Sequence, residues 1–261
     1  MYKHHSDSIR NVTEKLKKRQ EVKAIILVGT IAQGFEDASS DIDLLIVLDE
    51  EEFQKRRDEK KVLFFDKESV TYEGGYIDGK YISLEYIRQV SQRGSDAARY
   101  AFIGAKILYS QIDGLNSLLE AAIRYPVEEK NKRIELFCCH MIAWCWYANE
   151  ALRENNWYLI SSSIPNIALF AGRAILALNE TLYPYHKWFT KVLRETAVKP
   201  PELLMQISAM ISNPSKEKID ELETTVLDFL GLDKRKLNWA DNFILQSEMN
   251  WLYVSTPISD I

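Results

Sequence analysis

What this 261-residue sequence has little of narrows its class first. Cysteine is scarce and odd in number: three residues, two of them adjacent as Cys138-Cys139. No disulfide framework can be drawn from that set, and a reducing cytoplasm is the expected setting. Positive charge is not in excess. Lys and Arg number 33 against 38 Asp and Glu, a formal net charge of -5. That balance argues against holding extended nucleic acid by general electrostatics. No apolar run reads as long enough to span a bilayer, and the opening Met-Tyr-Lys-His-His holds no signal core, so no membrane partner is expected. Neither an internal repeat nor a low-complexity tract is present. What is there is a 46% hydrophobic content, enough to bury a sizeable core in one large domain or two ordinary ones.

The chain is organised around residues 22–48. Residues 23–28 (Lys-Ala-Ile-Ile-Leu-Val) form a short, apolar, β-branched run, as a buried strand does. Gly29-Thr30 ends it, residues 31–35 have room for one or two helical turns, and residues 34–40 supply loop chemistry. Residues 42–48 (Ile-Asp-Leu-Leu-Ile-Val-Leu) read as the next strand, with Asp41 and Asp43 at its start. Residues two apart on a strand share a face, so these carboxylates project side by side and repel unless something positive lies between them. Mg²⁺ is the simplest such partner, because it takes carboxylate oxygens and substrate phosphates. Gly29 lets a phosphate approach the backbone, and the helix start after it offers N–H donors to an anion. A phosphate grip beside metal-binding carboxylates is the equipment of phosphoryl or nucleotidyl transfer. The bland alternative is a βαβ unit whose two Asp residues cap a solvated strand end.

Gly29-Thr30, a connector of this length, and Asp41-Ile42-Asp43 opening a strand resemble the nucleotidyltransferase fold of the polymerase β superfamily. That family's pattern is Gly followed by Gly or Ser, then an Asp-x-Asp strand, then a third carboxylate on a later strand. Thr30 stands where Ser is usual and keeps the hydroxyl. With the helical second half, the layout is similar to kanamycin- and lincosamide-type antibiotic nucleotidyltransferases. The resemblance implies an α+β chain: a mixed sheet with flanking helices over residues 1–112, then an all-helical substrate-binding bundle over residues 113–261. It implies Mg²⁺-dependent transfer of a nucleoside monophosphate, AMP from ATP or the counterpart from another NTP, to a hydroxyl of a small acceptor, and so an antibiotic-resistance type of activity. The acidic balance suits an aminoglycoside-like polycation. Under this reading Asp41 and Asp43 hold the metal, Glu85 supplies the third carboxylate as ligand or base, and Gly29, Thr30 and Ser40 bind the nucleotide. A different class stays open: a non-catalytic nucleotide-binding or toxin–antitoxin-type module, or a modifier of a protein partner.

Glu85 is chosen because residues 69–77 and 80–87 flank Asp78-Gly79, a hairpin signal, and Glu85 lies among apolar neighbours on the second arm. Asp78 is a rival with a turn already to make, and Glu73 on the first arm is another. Residues 49–61 are dense in both charges, as a solvated helix or loop is. Residues 7–19 carry Ile9, Val12 and Leu16 at helical spacing, a lead-in helix for the sheet. His4 and His5 ahead of it read as frayed surface residues.

From residue 95 the pattern is helical and few strand signals return. Helices are expected over residues 96–104, 115–124, 133–154, 161–180, 189–196, 202–211, 216–230 and about 239–252, with a composition shift near 110–114. The helix over 133–154 carries Phe137, Trp144, Trp146 and Tyr147, a stripe suited to a helical core or a homodimer face. Cys138, Cys139 and His140 are consecutive on it and point in different directions, so they read as packing residues and not as a metal clasp. Arg133 and His140 are similar in spacing to helical ribonuclease domains that accompany minimal nucleotidyltransferases, with Ile134 where a polar residue is usual. Residues 182–188 (Leu-Tyr-Pro-Tyr-His-Lys-Trp) interrupt the helical pattern. They read as a corner packed by aromatics or, in resemblance to antibiotic-type enzymes, as the place from which Lys187 reaches the nucleotide phosphates.

Overall fold

Two apolar strands, β1 (Val22–Val28) and β2 (Ile42–Leu48), pair antiparallel inside a five-stranded mixed sheet of order β3-β4-β2-β1-β5. The computed structural model describes residues 1–254, in two compact units, one of Met1–Arg124 and one that begins at Tyr125. In the first unit, β4 (Ile77–Ser83) runs parallel to β2, and β3 (Leu63–Asp66) lies antiparallel to β4 at one edge. The opposite edge is β5 (Lys106–Ser110), antiparallel to β1.

β1 and β2 are apolar on both faces because both faces are covered. On one, Ile25, Leu27, Leu44 and Ile46 pack with Ile9, Val12 and Leu16 of α1 (Lys3–Leu16). On the other, Ile26, Leu45, Val47 and Ile82 pack with Ile87 and Val90 of α4 (Leu84–Arg93) and with Leu115 and Leu119 of α6 (Leu115–Ala122). The other helices here are short: α2 (Gly29–Gln33), the highly charged α3 (Glu50–Asp58), which buries no residue, and α5 (Asp96–Tyr100).

Three expectations are corrected in the first unit. Asp78-Gly79 is not a turn but the interior of β4. A Cβ on Gly79 would come within 2.2 Å of the Leu44 carbonyl oxygen, so this glycine serves the close approach of two strands. The turn is made upstream, with Gly74 at φ +73° and the Gly75 N–H donating to the Tyr72 carbonyl. Second, β5 is a real strand; as a half-buried edge strand it lacks the alternation that marks one in a sequence. Third, His4 and His5 are not frayed. Both lie on α1, and His5 is fully buried, with ring centroids 4.3 Å from His4 and 5.1 Å from Tyr72. The division between the units falls after α6, because Leu115, Leu119 and Ala122 join the core under the sheet.

The second unit is helical: α7 (Lys130–Arg153), α8 (Trp157–Leu178), α9 (Tyr185–Glu195), α10 (Leu203–Ser212), α11 (Lys216–Leu230) and α12 (Trp239–Gln246). Its core is centred on α7 and α8, where Cys138, Met141, Ile142 and Cys145 join Ile164, Ile167, Ala171 and Ile175. Burial pushes the Cys138 thiol up to about 12, so it packs as an inert apolar group. His140 stacks on Phe170 at 4.7 Å and meets Phe243 edge-on at 5.2 Å. By length and composition α8 can cross a membrane, with mean hydropathy 1.4, contrary to the expectation that no segment can; here half of that apolar window is buried inside the unit.

Candidate active site

Parallel strands begin at the same end of a sheet, and that brings the acidic residues together. β2 and β4 are in register with Asp43 opposite Asp78, and Asp41, two residues before Asp43, shares its face. One carboxylate oxygen from each of Asp41, Asp43 and Asp78 lies within 4.8 Å of the others, and all three residues are half-buried. Three converging carboxylates form a hard, anionic donor set of the kind that holds Mg²⁺ or Mn²⁺. Asp78 is thus the third carboxylate of the cluster.

Glu85 is not in it. Beyond Asp78, β4 runs about 16 Å further, at about 3.3 Å per residue, before ending at Ser83 opposite Leu48. Ser83 then caps α4 by accepting the Tyr86 N–H at 3.1 Å, and Glu85 sits exposed in the first turn. There a carboxylate favours the helix N-terminus, and it accepts from Gln89 at 3.2 Å. The signal was in the sequence: Ser followed by an acidic residue is a helix start.

Gly29 opens α2 at φ +68°, and the Asp43 carboxylate packs against it. Thr30 follows, buried. Ser40 organises the connector: its hydroxyl accepts the Asp37 N–H at 2.9 Å and its carbonyl accepts the Tyr72 hydroxyl at 2.6 Å. Lys187 lies in the second unit on α9, exposed, with its ammonium 5.4 Å from the Trp188 ring centroid.

Two tyrosines that the sequence did not single out support Asp41. The Tyr76 hydroxyl hydrogen-bonds the Asp41 carboxylate, which holds the phenol pKa above its ordinary value. Burial, and then the Asp41 charge, raises that of Tyr72 as well. Beside the carboxylates a cleft of about 310 Å³ is lined by Gly29, Gln33, Asp43, Asp78, Gly79 and Lys80. Lys80 is exposed on the face of Asp78, two residues along β4.

Residues 9–81 match the family described as the nucleotidyltransferase domain, a span that contains β1, α2, β2, Asp78 and most of β4. The first unit thus carries a nucleotidyltransferase domain over these residues. A solved nucleotidyltransferase-like protein from Exiguobacterium sibiricum 255-15 has a similar fold, with a TM-score of 0.50 at 10% identity over 98% of this chain and 83% of that one. No curated protein sequence matches.

Proposed function

We propose that the first unit catalyses transfer of a nucleoside monophosphate, AMP from ATP, to a hydroxyl of a small acceptor. The observation that carries this reading is the convergence of Asp41, Asp43 and Asp78 beside Gly29. Asp41 and Asp43 would hold divalent metal together with Asp78; bound there, Mg²⁺ supplies charge neutralisation on the phosphates and in the transition state. Tyr76 keeps the Asp41 carboxylate in place by donating to it. The backbone at Gly29 and Thr30 meets the terminal phosphates at the start of α2. The acceptor hydroxyl oxygen forms a bond to the α-phosphorus as the bond to the bridging oxygen breaks. Pyrophosphate leaves with that electron pair, and the hydroxyl proton passes to the Asp78 carboxylate.

A net charge of -5 suits an aminoglycoside-like polycation, but an acceptor meets the surface beside the carboxylates and not the whole chain. Salt confines the influence of an exposed charge to about 10 Å. The test is release of pyrophosphate from ATP and Mg²⁺ by the purified chain, with and without hydroxyl-bearing candidate acceptors. Release that disappears in Asp43→Asn supports transfer; no release from any NTP with Mg²⁺ or Mn²⁺ overturns it.

A further inference from the structure

One apolar surface beside the carboxylates is largely open to solvent. β3 is an edge strand whose Phe64 and Asp66 are buried, while Leu63 and Phe65 are 69% and 56% exposed. Directly opposed residues on antiparallel strands point to the same face, and Leu63 opposes Lys80 while Phe65 opposes Asp78. The exposed apolar pair therefore stands on the face of the three carboxylates, next to Asp78. The Phe65 ring stacks on Tyr76, with centroids 5.7 Å apart and 29° between planes. The Lys67 ammonium lies 5.7 Å from the Phe65 centroid, and Lys80 stands exposed beside Leu63. The result is an apolar shelf with an ammonium at each end.

We propose that this shelf is the acceptor subsite, and that it takes a hydroxylated ring compound carrying a phosphate or carboxylate. The inference rests on nucleotidyl transfer at the site and adds where the second substrate lies. In-line displacement puts the attacking oxygen and the leaving pyrophosphate on opposite sides of the α-phosphorus. The strand order fixes those sides: Gly29 at the end of β1, Asp41 and Asp43 at β2, Asp78 on β4 and Phe65 on β3. With pyrophosphate over Gly29, the acceptor hydroxyl arrives beside Asp78 and the body of the acceptor rests on β3. A ring stacked there gains about 0.5–1.5 kcal/mol beyond its area burial. Lys67 and Lys80 lie within a screening length of it, about 10 Å, and attract an anionic group, while divalent metal held by the three carboxylates would offset their negative charge. Large apolar side chains on an exposed edge strand invite unwanted pairing, and a substrate-binding task gives them a use.

The test measures pyrophosphate release from ATP and Mg²⁺ by the full chain, alone and with arbutin 6-phosphate, arbutin or kanamycin. Arbutin 6-phosphate carries an aromatic ring, sugar hydroxyls and one phosphate. It is expected to stimulate release most, plain arbutin less and kanamycin least. Phe65→Ala should raise KM for arbutin 6-phosphate about ten-fold, the equivalent of a lost stacking and burial contribution. Lys80→Ala should remove the preference for the phosphorylated over the plain compound. Both side chains are exposed, so unchanged melting temperatures will verify the fold. Stimulation by kanamycin alone, stimulation by neither arbutin, or an unchanged KM in both variants overturns the proposal. Failure of transfer itself looks different: arbutin 6-phosphate binds the parent chain more tightly than Phe65→Ala by calorimetry, yet no pyrophosphate appears under any of these conditions.

Discussion

The Asp43 carboxylate occupies the space that a side chain at Gly29 would need: a Cβ built there stands 1.9 Å from Asp43 Oδ2. Gly29 also sits at φ +68°, where an L side chain is strained. The glycine is therefore required twice, once by the turn into α2 and once by the Asp43 carboxylate. Gly29→Ala is expected to cost about 1–3 kcal/mol in backbone strain. It should also displace Asp43, and a misplacement near 1 Å lowers turnover about 100-fold. Urea denaturation reads the first effect and pyrophosphate release the second; a variant with wild-type turnover would show that Asp43 has room to move.

Asp78 and Glu85 separate the two candidate third carboxylates. Asp78→Asn should bring metal-dependent release to background while leaving the metal-free protein no less stable, because it removes one of three mutually repelling charges. Glu85→Gln should retain release, since Glu85 stands in the first turn of α4. The opposite pattern of activities would return the role to Glu85.

Much of this was legible in the chain. Residues 42–48 form β2 as read, and Asp41 and Asp43 open it because the alternation of a strand is a local property. Gly29 was legible as a special backbone position, though its neighbour proves to be Asp43 as well as any phosphate. Asp78 was weighed and set aside, because Asp-Gly is a strong turn signal and only the partner strand reveals what Gly79 is for. The meeting of Asp43 with Asp78 is a matter of register between β2 and β4, separated in sequence by α3 and β3. No short window of residues encodes that. The same holds for Tyr72 and Tyr76, whose partners Ser40 and Asp41 lie on another loop.

Tyr72 links the amino-terminal helix to the carboxylate cluster. Its ring packs on His4 and His5, its hydroxyl donates to the Ser40 carbonyl at 2.6 Å, and Thr71 beside it donates to the His4 carbonyl at 3.0 Å. Tyr72→Phe keeps the ring and removes the hydrogen bond that holds the residue before Asp41. A loss of about 0.5–1.5 kcal/mol in stability is expected from one hydrogen bond. Mn²⁺ affinity should fall as well, measured by calorimetry; unchanged affinity with lowered stability would confine Tyr72 to the scaffold.

His140 predicts a pH dependence in the helical unit. Burial, reinforced by the nearby Arg173, lowers its pKa from 6.5 to about 4. A folded-state pKa below the unfolded value means that the unfolded chain takes up the proton first. The contribution is complete above pH 6.5 and is lost as pH falls from 6.5 toward 4. His140→Phe, which keeps a ring between Phe170 and Phe243, should lose less stability than the parent over that window. Denaturation midpoints at pH 7 and pH 4.5 make the comparison, and equal losses would show that His140 does not titrate between them.

The convergence of Asp41, Asp43 and Asp78 on divalent metal is the centre of this account, and Mn²⁺ binding tests it most directly. Electron paramagnetic resonance titration with a non-hydrolysable α,β-methylene ATP analogue counts the bound ions without needing an acceptor. The parent chain should bind about two Mn²⁺, as two-metal transfer sites do, and Asp78→Asn should bind fewer and more weakly. No Mn²⁺ bound by the parent, or the same number at the same affinity in Asp78→Asn, would contradict it.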